Sequence, residues 1–481
     1  MNPFQHGEVF VTDDGAETDL DLGHYERFMD MNLTQLSNFT TGSVYQSVIN
    51  EERNGNYLGS TIQIIPHITD EIKRRIWLLA RQTRPDVEIV EIGGTVGDIE
   101  SQPFIETIRQ FRIEVGRANS IFIHVVKIDY IYPSDEAKTK PIQQSVALLR
   151  GLGIQPDFLI VRCKKQIEKS LITKIALFCS VKPERIIPAP NTEYIYDIPY
   201  NLEKAGLTRE VLKFFELKPR RNTACQPIFI KNKTNKSIYL KIALVGKYLD
   251  HPDAYISVVE AIKHALDQAK VEGEIVAVDS DESGIENKLK ETDAIIVPGG
   301  FGIRGIEGKI KAVRAARENK IPFLGLCLGL QVAVIEFARN ICKLNNANST
   351  EFAPKTKYPV IEFLPEQRRI EQKGGTMRLG KYPARLSGLV KKLYGRTIIS
   401  ERHRHRYEVN PKYHQILIKN GLIFSGLSPN RRLVEFIELP QQIHPYFVAT
   451  QAHPEFKSRP NRAHPLFAGL IATALTRKEA K

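Results

Sequence analysis

Cys327 lies in Gly325-Leu326-Cys327-Leu328-Gly329, where the apolar run Ile321–Leu326 passes into a helix-periodic run at Leu328, Gln331, Val332, Ile335 and Ala338. A strand-to-helix turn of this kind pushes the sulfur out of the sheet. It also sets a helix N-terminus behind the sulfur, which favours the thiolate, the nucleophilic form. Such a nucleophile needs a base, a group that orients the base, and donors aimed at a developing oxyanion. The expected strand Phe447–Gln451 runs into Ala452-His453-Pro454-Glu455, a histidine at a strand end with a carboxylate two residues on that can hold one tautomer. The expected strand Ala294–Val297 ends in Pro298-Gly299-Gly300-Phe301-Gly302, whose bare backbone N–H groups can approach a substrate oxygen. Alone, the His-Pro-Glu triplet reads as a loop and the Pro-Gly-Gly run as a turn; their company with the cysteine gives them chemistry.

The elements that must carry these residues alternate. After a polar, proline-containing stretch at 217–237, read as the linker, the pattern gives strand Leu240–Val245, helix Ala254–Ala269 and strands Glu274–Val278 and Ala294–Val297. Helix Lys309–Glu318, strand Ile321–Leu326 and helix Leu328–Cys342 follow. Alternation predicts a largely parallel, covered sheet over 238–481. Residues 1–216 alternate too, with strands expected at Ile62–Ile65, Val87–Ile92, Ser120–Val126 and Phe158–Val161 and helices at Asp70–Arg81 and Ser145–Leu152. The fold class is α/β, in two domains.

With 481 residues, 42% hydrophobic and 26% charged, the chain has the composition of a globular protein of two or three domains. Its opening, Met1-Asn2-Pro3-Phe4-Gln5-His6, is not a charged and apolar leader, and no run reaches bilayer length, so we expect a cytoplasmic protein with no membrane partner. The cysteines Cys163, Cys179, Cys225, Cys327 and Cys342 are odd in number and form no C-x-x-C pair, which argues against disulfides and zinc. The net charge of +13 is divided unevenly. Residues 1–50 carry eight acids against Arg27, while 401–481 carry thirteen bases against six acids. That split argues against a nucleic-acid face and suits magnesium at one end and small anions at the other.

The set Gly-Leu-Cys-Leu-Gly, Pro-Gly-Gly-Phe-Gly and His-Pro-Glu resembles the class I glutamine amidotransferase family. The resemblance implies Cys327 as nucleophile, His453 as base and Glu455 as its orienter. It assigns glutamine binding to Gly300, to Leu328, Gly329, Leu330 and Gln331, to Glu351 in Asn348-Ser349-Thr350-Glu351-Phe352, and to Arg406. The charges are apt: the ammonium of glutamine needs a carboxylate, and its carboxylate suits a guanidinium. Arg406 sits in Glu401-Arg402-His403-Arg404-His405-Arg406-Tyr407, which alone reads equally as a solvated basic strand or a nucleic-acid patch.

Four further segments resemble the CTP synthase family. They are Gln5 to Val11, Asp14-Gly15-Ala16-Glu17-Thr18-Asp19-Leu20-Asp21 to Phe28, Glu91-Ile92-Gly93-Gly94-Thr95-Val96-Gly97-Asp98-Ile99-Glu100, and Lys138-Thr139-Lys140-Pro141. The resemblance implies an N-terminal parallel-sheet synthetase domain of the P-loop NTPase type over 1–216, joined to the amidotransferase domain at 238–481. It implies that ATP phosphorylates O4 of UTP and that ammonia from glutamine displaces the phosphate at C4. Asp21 and Glu91 would bind Mg2+, with Asp21 also touching ATP. Asp98, Ile99, Glu100, Lys138, Thr139, Lys140, Pro141, Ile142, Gln143 and Lys174 would contact the pyrimidine nucleotide, and His6 would line the ammonia route. GTP activation near Arg304, feedback inhibition by CTP and a homotetramer are further implications. The family opens with a strand, a glycine-rich phosphate loop ending in lysine, and a helix, upstream of where this sequence starts. No such loop occurs in 1–216. The expectation is a synthetase domain incomplete at its start through an internal start codon or shortened gene model. Such a domain would be destabilised, and could keep nucleotide binding and glutaminase activity without making CTP.

Overall fold

The computed structural model describes residues 7–218, 235–247, 251–363 and 377–480; His6 and most of the expected linker lie outside them. Two compact units form, Met1–Asn38 with Lys231–Lys481, and Phe39–Ile230. The boundary near Lys231 falls inside the expected linker, but the start of the chain sides with the C-terminal unit. Its acids explain this: Asp13 and Glu26 pair with Arg402, Glu17 with Arg404, and Asp30 with Arg462.

The first unit is built on nine strands in the order Ile398–His405, Arg378–Leu386, Ile423–Leu427, Val434–Glu438, Phe447–Thr450, Phe323–Leu326, Ala294–Val297, Asn235–Gly246, Val271–Asp279. The last five are mutually parallel and the first four add on antiparallel. The sheet is therefore parallel only where helices return the chain, as Ile256–Ala269 and Ile306–Glu318 do. Every residue of Ala294–Val297 and Phe323–Leu326 is buried, as strands covered on both faces require. Alternate side chains serve opposite cores: Ile295, Val297 and Phe323 pack with Val313 and Ile335, while Ile296, Leu324 and Leu326 pack with Ile262 and Leu470.

The second unit has a three-stranded parallel sheet, Ile123–Lys127, Phe158–Cys163, Ile186–Pro190, with helices Lys140–Gly151 and Lys169–Cys179 as crossovers. Helices Thr41–Arg53 and Thr69–Thr83 share a smaller core of Val44, Val48, Ile68, Ile72 and Ile76. Two expected strands do not form. Ile64 and Ile65 open a π-helical turn, and Val87–Ile92 joins no ladder among the described residues, leaving Val87 71% and Ile89 86% exposed. An apolar run becomes a strand only where a neighbour takes its N–H and C=O groups.

Candidate active site

Cys327 caps the helix Leu328–Asn340 with φ 51° and ψ −100°, a conformation strained for any residue with a side chain. It is 3% exposed, and its N–H donates to the Thr450 carbonyl at 2.7 Å, tying the turn to the neighbouring strand. The flanking glycines are needed for space. A Cβ on Gly325 would sit 2.8 Å from the Gly329 backbone and 2.9 Å from Ala449 Cβ, and one on Gly329 would collide with the Val297 carbonyl.

His453 follows the strand Phe447–Thr450, and its Nδ1 is 2.6 Å from Glu455 Oε1. Its backbone N–H donates to the Arg402 carbonyl at 2.7 Å, and Phe456 stacks on the imidazole at 5.2 Å between centroids. Nε2 is buried and has no other hydrogen-bond partner, leaving it to the Cys327 sulfur, which favours the imidazolium both through charge and as a hydrogen-bond acceptor. Burial works against the imidazolium, but Glu455 and then Cys327 outweigh it and push the pKa up to about 10. A Cβ on Gly299 would lie 2.9 Å from His453 Cε1 and 3.6 Å from Cys327 Cβ, so this backbone turn faces both groups. The arrangement can hold a thiolate against an imidazolium beside backbone donors, the components of acyl transfer.

Beyond the sulfur, Glu351 accepts from the Gly302 N–H at 3.0 Å. Burial raises its pKa, while that hydrogen bond and the charges of Lys247 and Arg406 hold it down. Arg406 has a buried Nε without a hydrogen-bond partner, a donor suited to a carboxylate. Leu328, Gly329, Leu330 and Gln331 form the first helical turn behind Cys327, and Gln331 donates to the Tyr407 carbonyl at 3.1 Å. Gly300 packs against Leu328, Lys247 and Lys309.

Several participants escaped the sequence reading. Glu8 and Val9 line a cavity of about 60 Å³ with Gly299, Gly300, His453 and Glu455. Burial raises the Glu8 pKa to about 7 against hydrogen bonds from Ser257 and the charge of Arg27. Gln451 directs Nε2 at the Cys327 sulfur at 3.8 Å. Lys247 donates to the carbonyls of Phe301 and Gly302, and Arg304, which the sequence reading had placed near GTP, donates to the Lys247 carbonyl. Lys309, fully buried, lies on the stripe Ile306, Ile310, Val313 of its helix. A lysine on an apolar stripe was the one available sequence signal.

The nucleotide and metal residues are placed less tightly. Asp21 opens the helix Asp21–Met29 in the first unit, Glu91 belongs to the second, and both are exposed. Among the described residues no group of three or more His, Cys, Asp or Glu gathers to hold a metal ion. Asp98 accepts from the Thr95 N–H at 2.8 Å and so shapes the glycine turn ahead of the exposed Ile99 and Glu100. Lys138 pairs with Glu136 at 2.5 Å, and Lys174 adds its charge to that carboxyl. Thr139 precedes the helix that Lys140 and Pro141 open and accepts from Gln143 at 3.1 Å, while the Ile142 side chain is core. Beside them a cavity of about 420 Å³, lined by Lys127, Tyr130, Arg162, Lys164 and Asn191, opens where the parallel strands end. The sequence reading had not singled it out.

The chain matches the family model of the CTP synthase N-terminus over residues 1–217 and that of class-I glutamine amidotransferase over residues 250–473. It is 54% identical to a CTP synthase of Microcystis aeruginosa, covering 100% of this chain and 89% of that one, and 54% identical to one of Desulfitobacterium hafniense, covering 99% and 91%. The glutaminase domain of Trypanosoma brucei CTPS with bound acivicin is 39% identical, covers 49% of this chain and 94% of that one, and superposes with a TM-score of 0.46. With the two family models dividing the chain between them and identity sustained along its whole length, the chain belongs to the CTP synthase family.

Proposed function

We propose that Cys327, His453 and Glu455 release the ammonia that this enzyme uses. As a CTP synthase it converts UTP to CTP, with glutamine as nitrogen source and ATP as co-substrate. The observation that carries the triad is a thiol on a strained elbow facing an imidazole whose Nδ1 is 2.6 Å from a buried carboxylate.

At neutral pH the His453 proton is retained, since Glu455 first and then Cys327 push its pKa up to about 10, and the thiolate is the nucleophilic form of Cys327. The Cys327 thiolate attacks the carboxamide carbon of glutamine; the C–S bond forms and the carbonyl π electrons move to oxygen, where the Gly299 and Gly300 turn supplies donors. Collapse breaks the C–N bond, and the leaving amine takes the His453 proton and departs as ammonia. Neutral His453 then takes a proton from water, whose oxygen attacks the thioester; the thiolate leaves, restoring the ion pair and releasing glutamate. Glu351 receives the substrate ammonium and Arg406 its carboxylate, with Gln331 and the first helical turn closing the pocket.

ATP phosphorylates uracil O4 and ammonia displaces the phosphate at C4. For the nucleotides we propose Asp98 to Glu100, Lys138 to Gln143 and Lys174, together with the cavity at Lys127, Arg162 and Lys164. Its position at the carboxyl ends of parallel strands and its basic lining suit a polyphosphate. Asp21 and Glu91 offer exposed hard oxygens of the kind Mg2+ takes one or two at a time, phosphate and water supplying the rest. Each would serve as one such ligand, and the ion would neutralise phosphate charge. On the family resemblance we also propose activation by GTP near Arg304, inhibition by CTP, a homotetramer and a cytoplasmic location. No helix among the described residues is long and apolar enough to cross a membrane.

The test is Cys327→Ala in the full chain, assayed for CTP with glutamine and with ammonium chloride. Amination from ammonia should survive while amination from glutamine stops; equal glutamine-driven rates in both proteins would remove Cys327 from the mechanism.

A further inference from the structure

Lys309 is 0% exposed, on the helix Ile306–Glu318. A buried ammonium is expensive, and an apolar residue of similar length in its place is often neutral or stabilising. Its Nζ donates to the Pro298 carbonyl at 3.3 Å. Burial and Lys247, at the end of the strand Asn235–Gly246, disfavour its charge and Cys327 favours it, leaving the pKa at about 7. Stability alone therefore gives no reason for a lysine here.

Geometry offers one. The Pro298–Gly299 peptide is trans, and in a trans peptide the C=O and N–H point to opposite sides of the chain. A carbonyl drawn toward Lys309 turns the Gly299 N–H the other way. Gly299 is the residue whose added Cβ would lie 2.9 Å from His453 Cε1 and 3.6 Å from Cys327 Cβ. Lys247 holds two carbonyls further along the turn, those of Phe301 and Gly302. A Gly-Gly turn has the backbone freedom to rotate that peptide, and a rotated plane would aim a carbonyl oxygen where a donor is needed.

We propose that Lys309 is a positioning residue of the glutamine-hydrolysing site, holding the Pro298–Gly299 peptide so that its N–H faces the oxyanion formed when Cys327 attacks glutamine. This rests on Cys327 as the nucleophile. In the full chain, Lys309→Met should lower kcat for glutamate formation at least about tenfold, the scale of losing much of one oxyanion donor. KM for glutamine should stay within about twofold, because the ground-state carboxyl and ammonium contacts are untouched. The aldehyde analogue of glutamine, which the thiol converts to a thiohemiacetal bearing the same oxygen, should bind more weakly by the same factor as kcat falls. CTP formation from ammonia should be unchanged, and thermal stability equal or higher. Lys309→Gln, which keeps a donor without the charge, should recover much of kcat and serves if the Met variant does not fold. An unaltered kcat, a rise in KM alone, or undiminished aldehyde binding would overturn the proposal. If Cys327→Ala abolishes glutamate formation while Lys309→Met leaves it intact, only the lysine's role fails; if Cys327→Ala retains it, the triad reading fails with it.

Discussion

Replacing Glu26 tests whether the start of the chain is a structural part of the amidotransferase unit. Glu26 is 0% exposed on the helix Asp21–Met29. Its oxygens meet both terminal nitrogens of Arg402 at 3.0 Å, Arg459 at 2.8 Å and the Leu33 N–H at 2.8 Å. Arg402 is itself fully buried and has Asp13 as a second carboxylate at 2.6 Å. In Glu26→Ala two buried guanidiniums share what is left, and removing one partner of a buried pair costs about 3–5 kcal/mol. The stranded Leu33 N–H adds roughly 1 kcal/mol. At about 3 °C per kcal/mol for a unit of this size, the melting transition should fall by roughly 10 °C or more. Calorimetry of the full chain reads this, with Glu282→Ala as control. Glu282 and Lys288 are 43% and 41% exposed, so their pair should be worth less than about 1 kcal/mol. A Glu26→Ala shift no larger than the control's would refute the reasoning.

Three further outcomes follow from the site. Glu455→Gln removes the charge that does most to hold the His453 proton, so the alkaline limb of the glutaminase pH profile, expected near pH 10 in the native enzyme, should move down by at least about one unit; an unmoved limb would contradict the ion pair. Glu8 is raised to about 7 by burial, so the folded state holds its proton more tightly than the unfolded chain; that contribution is complete below about pH 4.5 and lost as pH rises through 7. Glu8→Gln should therefore stabilise the protein relative to the native chain at pH 8, by about 1–3 kcal/mol, with much less gain at pH 5, measured by denaturant unfolding. Arg406→Ala should raise KM for glutamine about 10–100-fold, the worth of a charge-assisted hydrogen bond, with little change in ammonia-driven CTP formation; steady-state kinetics with both nitrogen sources decides.

In the parallel half of the first unit, Ala294–Val297 and Phe323–Leu326 were legible because they are short, apolar throughout and bounded by Gly and Pro. Ala294–Val297 agrees to the residue, and the run from Ile321 begins pairing only at Phe323. The antiparallel half was not. In Ile398–His405 the buried side chains include Glu401, Arg402, His403 and His405, and a strand whose burial rests on ion pairs carries no hydrophobic alternation. Ile62–Ile65 and Val87–Ile92 failed in the opposite sense, because apolar content proposes a strand but a partner far away in sequence must complete it. Of the proposed site, Cys327, His453 and Glu455 stand in local turns that the sequence displays, whereas Glu8 arrives from the start of the chain with no spacing signal and Lys309 shows only as a lysine on an apolar helix stripe.

Helix Asp21–Met29 shows why the division of this chain by motif and its division by packing disagree. Its first residue, Asp21, was read as a ligand for the nucleotide's metal, and its sixth, Glu26, grips Arg402. The Arg402 carbonyl holds the backbone N–H of His453, and Phe10 packs on the ring of Phe456, which stacks on the His453 imidazole. An element that belongs by family to the synthetase half thus fixes His453, the proposed base of the amidotransferase half. Anything that displaces the helix must either carry the strand Ile398–His405 with it or break a buried pair at about 3–5 kcal/mol. That penalty exceeds the 1–3 kcal/mol through which two binding sites usually influence one another. The helix should therefore move with the triad as one rigid piece, and regulation of glutamine hydrolysis should act on the Pro298–Gly302 turn, whose orientation depends on two lysines and the freedom of its glycines.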